Sequence, residues 1–249
     1  MTDAERPLAG GNATAAVIRV GDTVRKPSSP TTPLVHRYLR MLRAAGVDVP
    51  EVFGDDEHDR QVIEFVPGTL AMELLPLDHS ALRRVGAMIR RLHDASTGFP
   101  VPPDWSTLLP TVDPDLICHN DLAPWNLVMG ERWVFIDWDG AGPSTRLWDL
   151  AYAAQSFALL VAGQPVAAAA ARLAALADGY DADAGLRAAL PETMLERTAA
   201  MHDMLRSAHA AGRQPWGRMY VEGHGEHWRT ATEYVRRHRD AWQAALDGR

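Results

Sequence analysis

At Val66-Pro67-Gly68 the periodicity of the chain changes, and this change restricts the fold more than any other feature. Upstream, apolar residues fall in short alternating runs. AAVIRV (15–20), Gly21-Asp22 and TVRK (23–26) form a hairpin signature, because a two-residue turn with positive φ favours Gly and Asp between strands. EVFGDDEHDRQVIEFV (51–66) reads as a second hairpin with its polar turn near 55–60. Between them, Leu34, Val35, Tyr38, Leu39, Met41 and Leu42 mark one helical face that stops at Gly46. Downstream, helical spacing dominates at 79–95, 147–161, 165–179, 192–211 and about 217–245, interrupted by short apolar runs at 115–118, 127–129 and 133–136. The pattern predicts an α+β chain with a strand-rich lobe carrying one helix over residues 1–66 and a larger helical lobe over residues 67–249.

The rest of the composition mainly excludes. A net charge of −7 leaves too little Lys and Arg to neutralise a run of phosphates, so no nucleic-acid partner is expected. Cys118 is the one cysteine, so no disulfide can form within the chain. The N-terminus has no apolar targeting core, and the Ala-rich run 166–177 is too short and interrupted to span a bilayer. No membrane partner is expected, and a cytoplasmic location is the default.

Chemistry concentrates in residues 117–151, which begin ICHNDLAPWNLVMGERWVFIDWD and end in WDLA. A lone His-x-Asp loop has several meanings: a metal site, a general base with orienting partners, or a polar turn. The surrounding spacing narrows the choice. Asn126 follows Asp121 after four residues, and the strand WVFI closes on Asp137. Pairing WVFI with LVM in a hairpin brings Asn126 and Asp137 to one end of a sheet. Two oxygen ligands there suit Mg²⁺, a hard cation that completes its shell with water and phosphate oxygens. Asp121, on the loop, is left free to accept a proton. Phosphoryl transfer asks for this arrangement, since its transition state needs positioning and charge neutralisation above all.

These motifs resemble the aminoglycoside phosphotransferase family, small-molecule kinases with a two-lobe protein-kinase-like fold. HNDLAPWN is similar to the family's His-x-Asp-x-x-x-x-Asn loop, IDWD to its metal-binding stretch and WDLA to the buried Asp that follows. The resemblance implies that Asp121 orients or deprotonates an acceptor hydroxyl, that Asn126 and Asp137 bind Mg²⁺, and that ATP or GTP is the donor. It implies structural roles for Asp149, on the backbone amides of the loop, and for His119 beneath it. Asp139 is expected to face the substrate. The acceptor is expected to be a small hydroxylated molecule, aminoglycoside-type first, held by residues roughly 150–249.

The match loosens upstream. Gly10-Gly11 lies where such a fold places its phosphate-covering turn, and Lys26 ends the strand expected to carry the phosphate-gripping lysine. Glu64 and Val66 fall at the lobe junction, where backbone groups meet the purine. One departure stands out: the family helix that corresponds to 34–45 supplies a Glu to that lysine, yet residues 23–47 contain no Asp or Glu at all. Val35 occupies the Glu position, with His36 beside it. Asp137 or the phosphates must then hold Lys26. The departure supports a competing expectation, a catalytically impaired nucleotide-binding regulatory protein. A metal-dependent hydrolase using the same carboxylates is a third. His224 and His227 in GHGEHW lack the further ligands that zinc requires.

Overall fold

A computed structural model describes residues 5–8, 17–102 and 104–248. The first sheet is antiparallel with strand order β1-β2-β3-β5-β4: β1 Arg6–Pro7, β2 Ile18–Val20, β3 Thr23–Pro27, β4 Val52–Asp55 and β5 Arg60–Glu64. Both predicted hairpins form, and Gly21 supplies the positive φ that its turn requires. The pairing of β3 with β5 sets Lys26 opposite Gln61. Helix α1, Thr32–Ala44, follows the apolar face read from the sequence and buries Val35, Tyr38, Leu39 and Leu42.

A buried tyrosine ties α1 to the helical part. The Tyr38 hydroxyl donates to the Ile117 carbonyl at 2.8 Å, lies 2.5 Å from Ser96 Oγ, and its ring packs edge-on against Trp138. Fully burying an apolar side chain of this kind contributes roughly 1.5–3 kcal/mol.

The helical part contains α2 His79–Ser96, α3 Arg146–Phe157, α4 Val166–Tyr180 and α5 Ala184–Ala210. Helices α2 and α4 cross where Gly86 and Gly179 lack side chains, since a Cβ at either would strike the opposing backbone. Helix α5 starts well before the predicted residue 192. Asp183 caps it by accepting from Leu186 N at 2.8 Å, and Pro191 lies inside.

The predicted helix 217–245 is broken into α6 Trp216–Met219, a wide turn at Tyr220–His224, α7 Gly225–Arg237 and α8 Arg239–Leu246. Gly223, with φ +112, makes the first break. Among the described residues no helix is long and apolar enough to cross a membrane.

Two small antiparallel sheets lie between these parts: β6 Thr69–Leu70 with β8 Leu127–Met129 and β9 Trp133–Phe135, and β7 Leu116–Cys118 with β10 Gly142–Ser144. The turn between β8 and β9 folds Ile136 back onto Asn126, whose carbonyl accepts from Ile136 N at 2.9 Å. The sequence reading of this hairpin therefore holds, and the residues on either side of it meet.

Candidate active site

The loop after β7 is held from below by buried polar groups. Asn120 adopts a left-handed conformation, φ +64, and its amide donates to Asp149 Oδ1 at 2.8 Å. Asp149 Oδ2 lies 3.1 Å from His93 Nε2, and His93 Nδ1 lies 2.8 Å from the Tyr180 hydroxyl. Arg197, buried on α5, donates through Nη2 to the Asn120 carbonyl at 3.0 Å while its guanidinium lies over the Tyr152 ring. His119 Nδ1 accepts from Asp121 N at 3.2 Å, so Nε2 carries the proton and donates to the Ile136 carbonyl at 3.0 Å. Buried polar groups must be paired, and here the pairs fix both sides of Asp121.

Asp121 is half-buried at the loop's outer edge. Asn126 Nδ2 donates to its backbone carbonyl at 3.0 Å and to its Oδ2 at 2.7 Å. Burial pushes the Asp121 carboxyl above its usual range, although His119, the Tyr152 hydroxyl and Asn126 pull the other way. With the Asn126 nitrogen committed to Asp121, its amide oxygen is turned to the opposite side.

Asp137 follows β9 in a left-handed conformation, φ +60, at the start of the tight turn Trp138–Gly140. Its Oδ1 lies 2.7 Å from Lys26 Nζ, and Asp139 Oδ2 lies 2.8 Å from the same nitrogen. Lys26 is buried, and burial alone would lower its pKa; the two carboxylates outweigh this and raise it. Burial pushes Asp137 up, but the Lys26 ammonium overcomes it and holds the carboxyl below its ordinary range. Asp137 Oδ2 has no hydrogen-bond partner among the described residues.

A divalent ion fits this donor set. Asn126 presents an amide oxygen, Asp137 a free carboxylate oxygen, and both flank the same short hairpin. Such hard oxygen donors suit Mg²⁺ or Ca²⁺. A second cluster, His93, Cys118 and Asp149, also brings ligand atoms within 4.8 Å of one another. It is fully buried, and its His and Asp are already spent on Tyr180 and on the Asn120 amide.

The remaining expectations are placed as follows. Lys26, Asn126, Asp121 and Asp137 come together. Asp139 pairs with Lys26 and accepts from Gln61 Nε2 at 3.3 Å. Glu64 ends β5, but its amide already donates to the Glu51 carbonyl and its side chain pairs with Arg132 Nη1 at 2.6 Å. Val66 is buried with Val128 and Val134 in a small apolar cluster that Leu70 and Ile136 flank. Gly10 and Gly11 lie outside the described residues. Glu222 and Glu226, beside the two histidines of GHGEHW, pair with Arg218 and Arg229.

The sequence reading missed Gln61, Tyr152 and Arg197, and did not foresee the pairing of Asp139 with Lys26. The strand register that sets Lys26 against Gln61 was a usable signal for the first. Nothing local marks Arg197, which reaches the loop from a helix 77 residues away in sequence.

With this geometry in hand, comparison with known proteins is informative. A model described as the phosphotransferase enzyme family matches residues 5–116 and 103–187. A curated relative, the trifolitoxin immunity protein of Rhizobium leguminosarum bv. trifolii, is 31% identical over 258 residues, covering 96% of this chain and 97% of the relative. Among solved structures, a choline/ethanolamine kinase family protein from Mesorhizobium loti superposes with a TM-score of 0.64 at 20% identity, covering 96% of this chain and 92% of that one. An amicoumacin kinase in complex with AMP-PNP, Ca²⁺ and its ligand gives 0.63 at 14% identity, covering 94% and 88%. At these identities the two structures establish the fold, which is the kinase-like α+β fold read from the sequence.

Proposed function

Because the chain belongs to the phosphotransferase enzyme family, we propose that it moves the γ-phosphoryl group of ATP or GTP to a hydroxyl of a small molecule, with aminoglycoside-type acceptors the first to test. The observation that carries this reading is the pairing of Asn126 with Asp121 and of Lys26 with Asp137 on either side of one short hairpin. Phosphoryl transfer depends on placing an alcohol, a triphosphate and compensating charge together.

Asn126 and Asp137 are the residues to hold Mg²⁺, which when bound neutralises charge on the phosphate oxygens. Lys26 binds the donor phosphates as a point charge. Asp121 accepts a hydrogen bond from the acceptor hydroxyl and takes its proton as the oxygen bonds to the γ-phosphorus and the bond to the nucleoside diphosphate breaks. Its raised pKa moves it toward the working pH, where a base is most effective. Asn126 steadies the carboxylate through Oδ2, and His119 and Asp149 keep the loop from turning away.

The backbone of the segment ending at Glu64 and Val66, with the nearby cluster of Val66, Val128 and Val134, offers an apolar place for the purine. Gly10 and Gly11 are proposed to cover the phosphates. The acceptor would enter past Trp125, which is 38% exposed beside Asp121 and edge-on to Tyr152. A neighbour that carries AMP-PNP and Ca²⁺ supports a nucleotide and a divalent ion here. The immunity named for the curated relative, and the amicoumacin kinase fold, agree with an antibiotic acceptor and a resistance role. The residue boundary near 66 is proposed as the hinge between the nucleotide-binding and catalytic lobes.

Transfer from ATP and from GTP to a panel of hydroxylated amines and antibiotics tests the reading. Asp121→Ala is expected to lower kcat by about 10²–10⁴-fold, the usual contribution of a general base. Equal turnover in wild type and variant would favour the impaired regulatory protein, and turnover without nucleotide would favour the hydrolase.

A further inference from the structure

Lys26 presents a conflict of duties. A buried ammonium is costly unless a charge partner stays with it, and here it has two partners, Asp137 at 2.7 Å and Asp139 at 2.8 Å. If Asp137 holds a divalent ion, as the proposed function requires, it ceases to be a full-time partner for the lysine. Helix α1 offers no replacement. It carries no Asp or Glu, and the polar residue it buries near this cluster is His36. Burial pushes the His36 imidazole below its ordinary value, and its Nε2 has no hydrogen-bond partner.

Asp139 is built differently from Asp137. Its Oδ1 accepts from Gln61 Nε2 at 3.3 Å, and Gln61 is the residue opposite Lys26 across the β3–β5 pair. Gln61 Nε2 also reaches the Pro27 carbonyl at 3.4 Å, which ties the amide to the lysine's own strand. Asp139 therefore has one oxygen on the lysine and the other on the sheet that carries it. Asp137 has one oxygen on the lysine and the other free.

We propose that Asp139 is the standing partner of Lys26, doing from the turn after β9 what a carboxylate on α1 would otherwise do, and so releasing Asp137 for the divalent ion. This rests on the proposed nucleotide-dependent function. Asp139 acts through Lys26 and is a positioning residue: it keeps the ammonium aimed at the phosphates when Asp137 turns to the metal. The absence of an acid on α1 then leaves catalytic competence intact.

Two binding measurements with a non-hydrolysable ATP analogue test this without knowledge of the acceptor. The first reads Mn²⁺ affinity of the protein–nucleotide complex in wild type, Asp137→Asn and Asp139→Asn. Asp137→Asn is expected to weaken Mn²⁺ binding by more than roughly tenfold, as loss of a ligand does, and Asp139→Asn to leave it near wild type. The second reads nucleotide affinity in saturating Mg²⁺ through a double-mutant cycle with Lys26→Met. Asp139→Asn is expected to weaken nucleotide binding roughly tenfold alone and to have no further effect in the Lys26→Met background. A purely structural role would cost the same in both backgrounds. Equal loss of Mn²⁺ affinity in the two Asp variants, or additive losses in the cycle, would overturn the assignment. A wild-type chain that binds no nucleotide would instead remove the proposed function, a result read before any variant is made.

Discussion

The loop that carries Asp121 and the strand end that carries Lys26 meet in one site but are held by different forces. Beneath the loop lie Asp149, His93, Tyr180 and His119, fully buried and joined by hydrogen bonds that need no ligand. Around Lys26 the attachment is mainly charge, and the two acids are 40% and 34% exposed. Hydrogen bonds in a dry interior fix one geometry, whereas ion pairs at the edge of a cleft exchange partners readily. The contrast suggests a catalytic loop that is finished before substrate arrives and a cation site that is completed by it.

The contrast is broken most forcefully by removing one anchor from each side. Asp149→Ala strands the Asn120 amide and the His93 nitrogen in the interior, and each orphaned group costs about 1–3 kcal/mol. Urea unfolding of the ligand-free protein should therefore show a loss of about 2–5 kcal/mol, with the midpoint shifted and the slope unchanged. Lys26→Met removes one side of the charge cluster, but its two acid partners are 40% and 34% exposed and can be taken up by water rather than left stranded in the interior. The same measurement should show a loss below about 1 kcal/mol, while nucleotide affinity falls measurably. Equal destabilisation by both variants would erase the distinction between the two halves.

A smaller effect, of opposite sign in two carboxylates, sharpens it. Burial raises the Asp121 pKa, so the native state favours its protonated form. That contribution is present below the unfolded-state value near 4 and is lost as pH rises through the native value. Lys26 overcomes burial at Asp137 and lowers its pKa, so its contribution is present above about 4 and is lost as pH falls through the native value. In EDTA at neutral pH, Asp121→Asn should gain stability and Asp137→Asn should lose it. Solvent screening at these half-exposed groups keeps each change below about 1 kcal/mol. Both differences should vanish on acidification, and matching signs at neutral pH would contradict the account.

How much of this was legible in the sequence follows the same division. Asp121, Asn126, Asp137 and Asp149 lie within 35 residues, joined by one hairpin, so local spacing was enough to bring them together. The pairing of Lys26 with Asp139 closes across 113 residues and depends on where two parts of the chain dock, which no local period records. The tight turn that begins at Asp137 is what carries Asp139 to Lys26, and no strand alternation announces it. Helical spacing found α2 well because it has one buried face, whereas α3 is buried on all sides from Asp149 to Phe157 and was found by its unbroken run of helix formers. It failed near the C-terminus, where Gly223 breaks the backbone while apolar residues keep their rhythm on either side. The spacing also placed the start of α5 too late, since the Asp183 cap begins it at Ala184 and it runs helical through Pro191.

The central claim is that one divalent ion and one triphosphate meet Asn126, Asp137 and Lys26 within reach of Asp121. A crystal structure with Mg²⁺ and a non-hydrolysable nucleotide tests it most directly. The account predicts the ion on the side-chain oxygens of Asn126 and Asp137, Lys26 on the phosphates with Asp139 still beside it, and the Asp121 carboxylate facing the γ-phosphoryl group. An ion bound elsewhere, or a terminal phosphate turned away from Asp121, would contradict it.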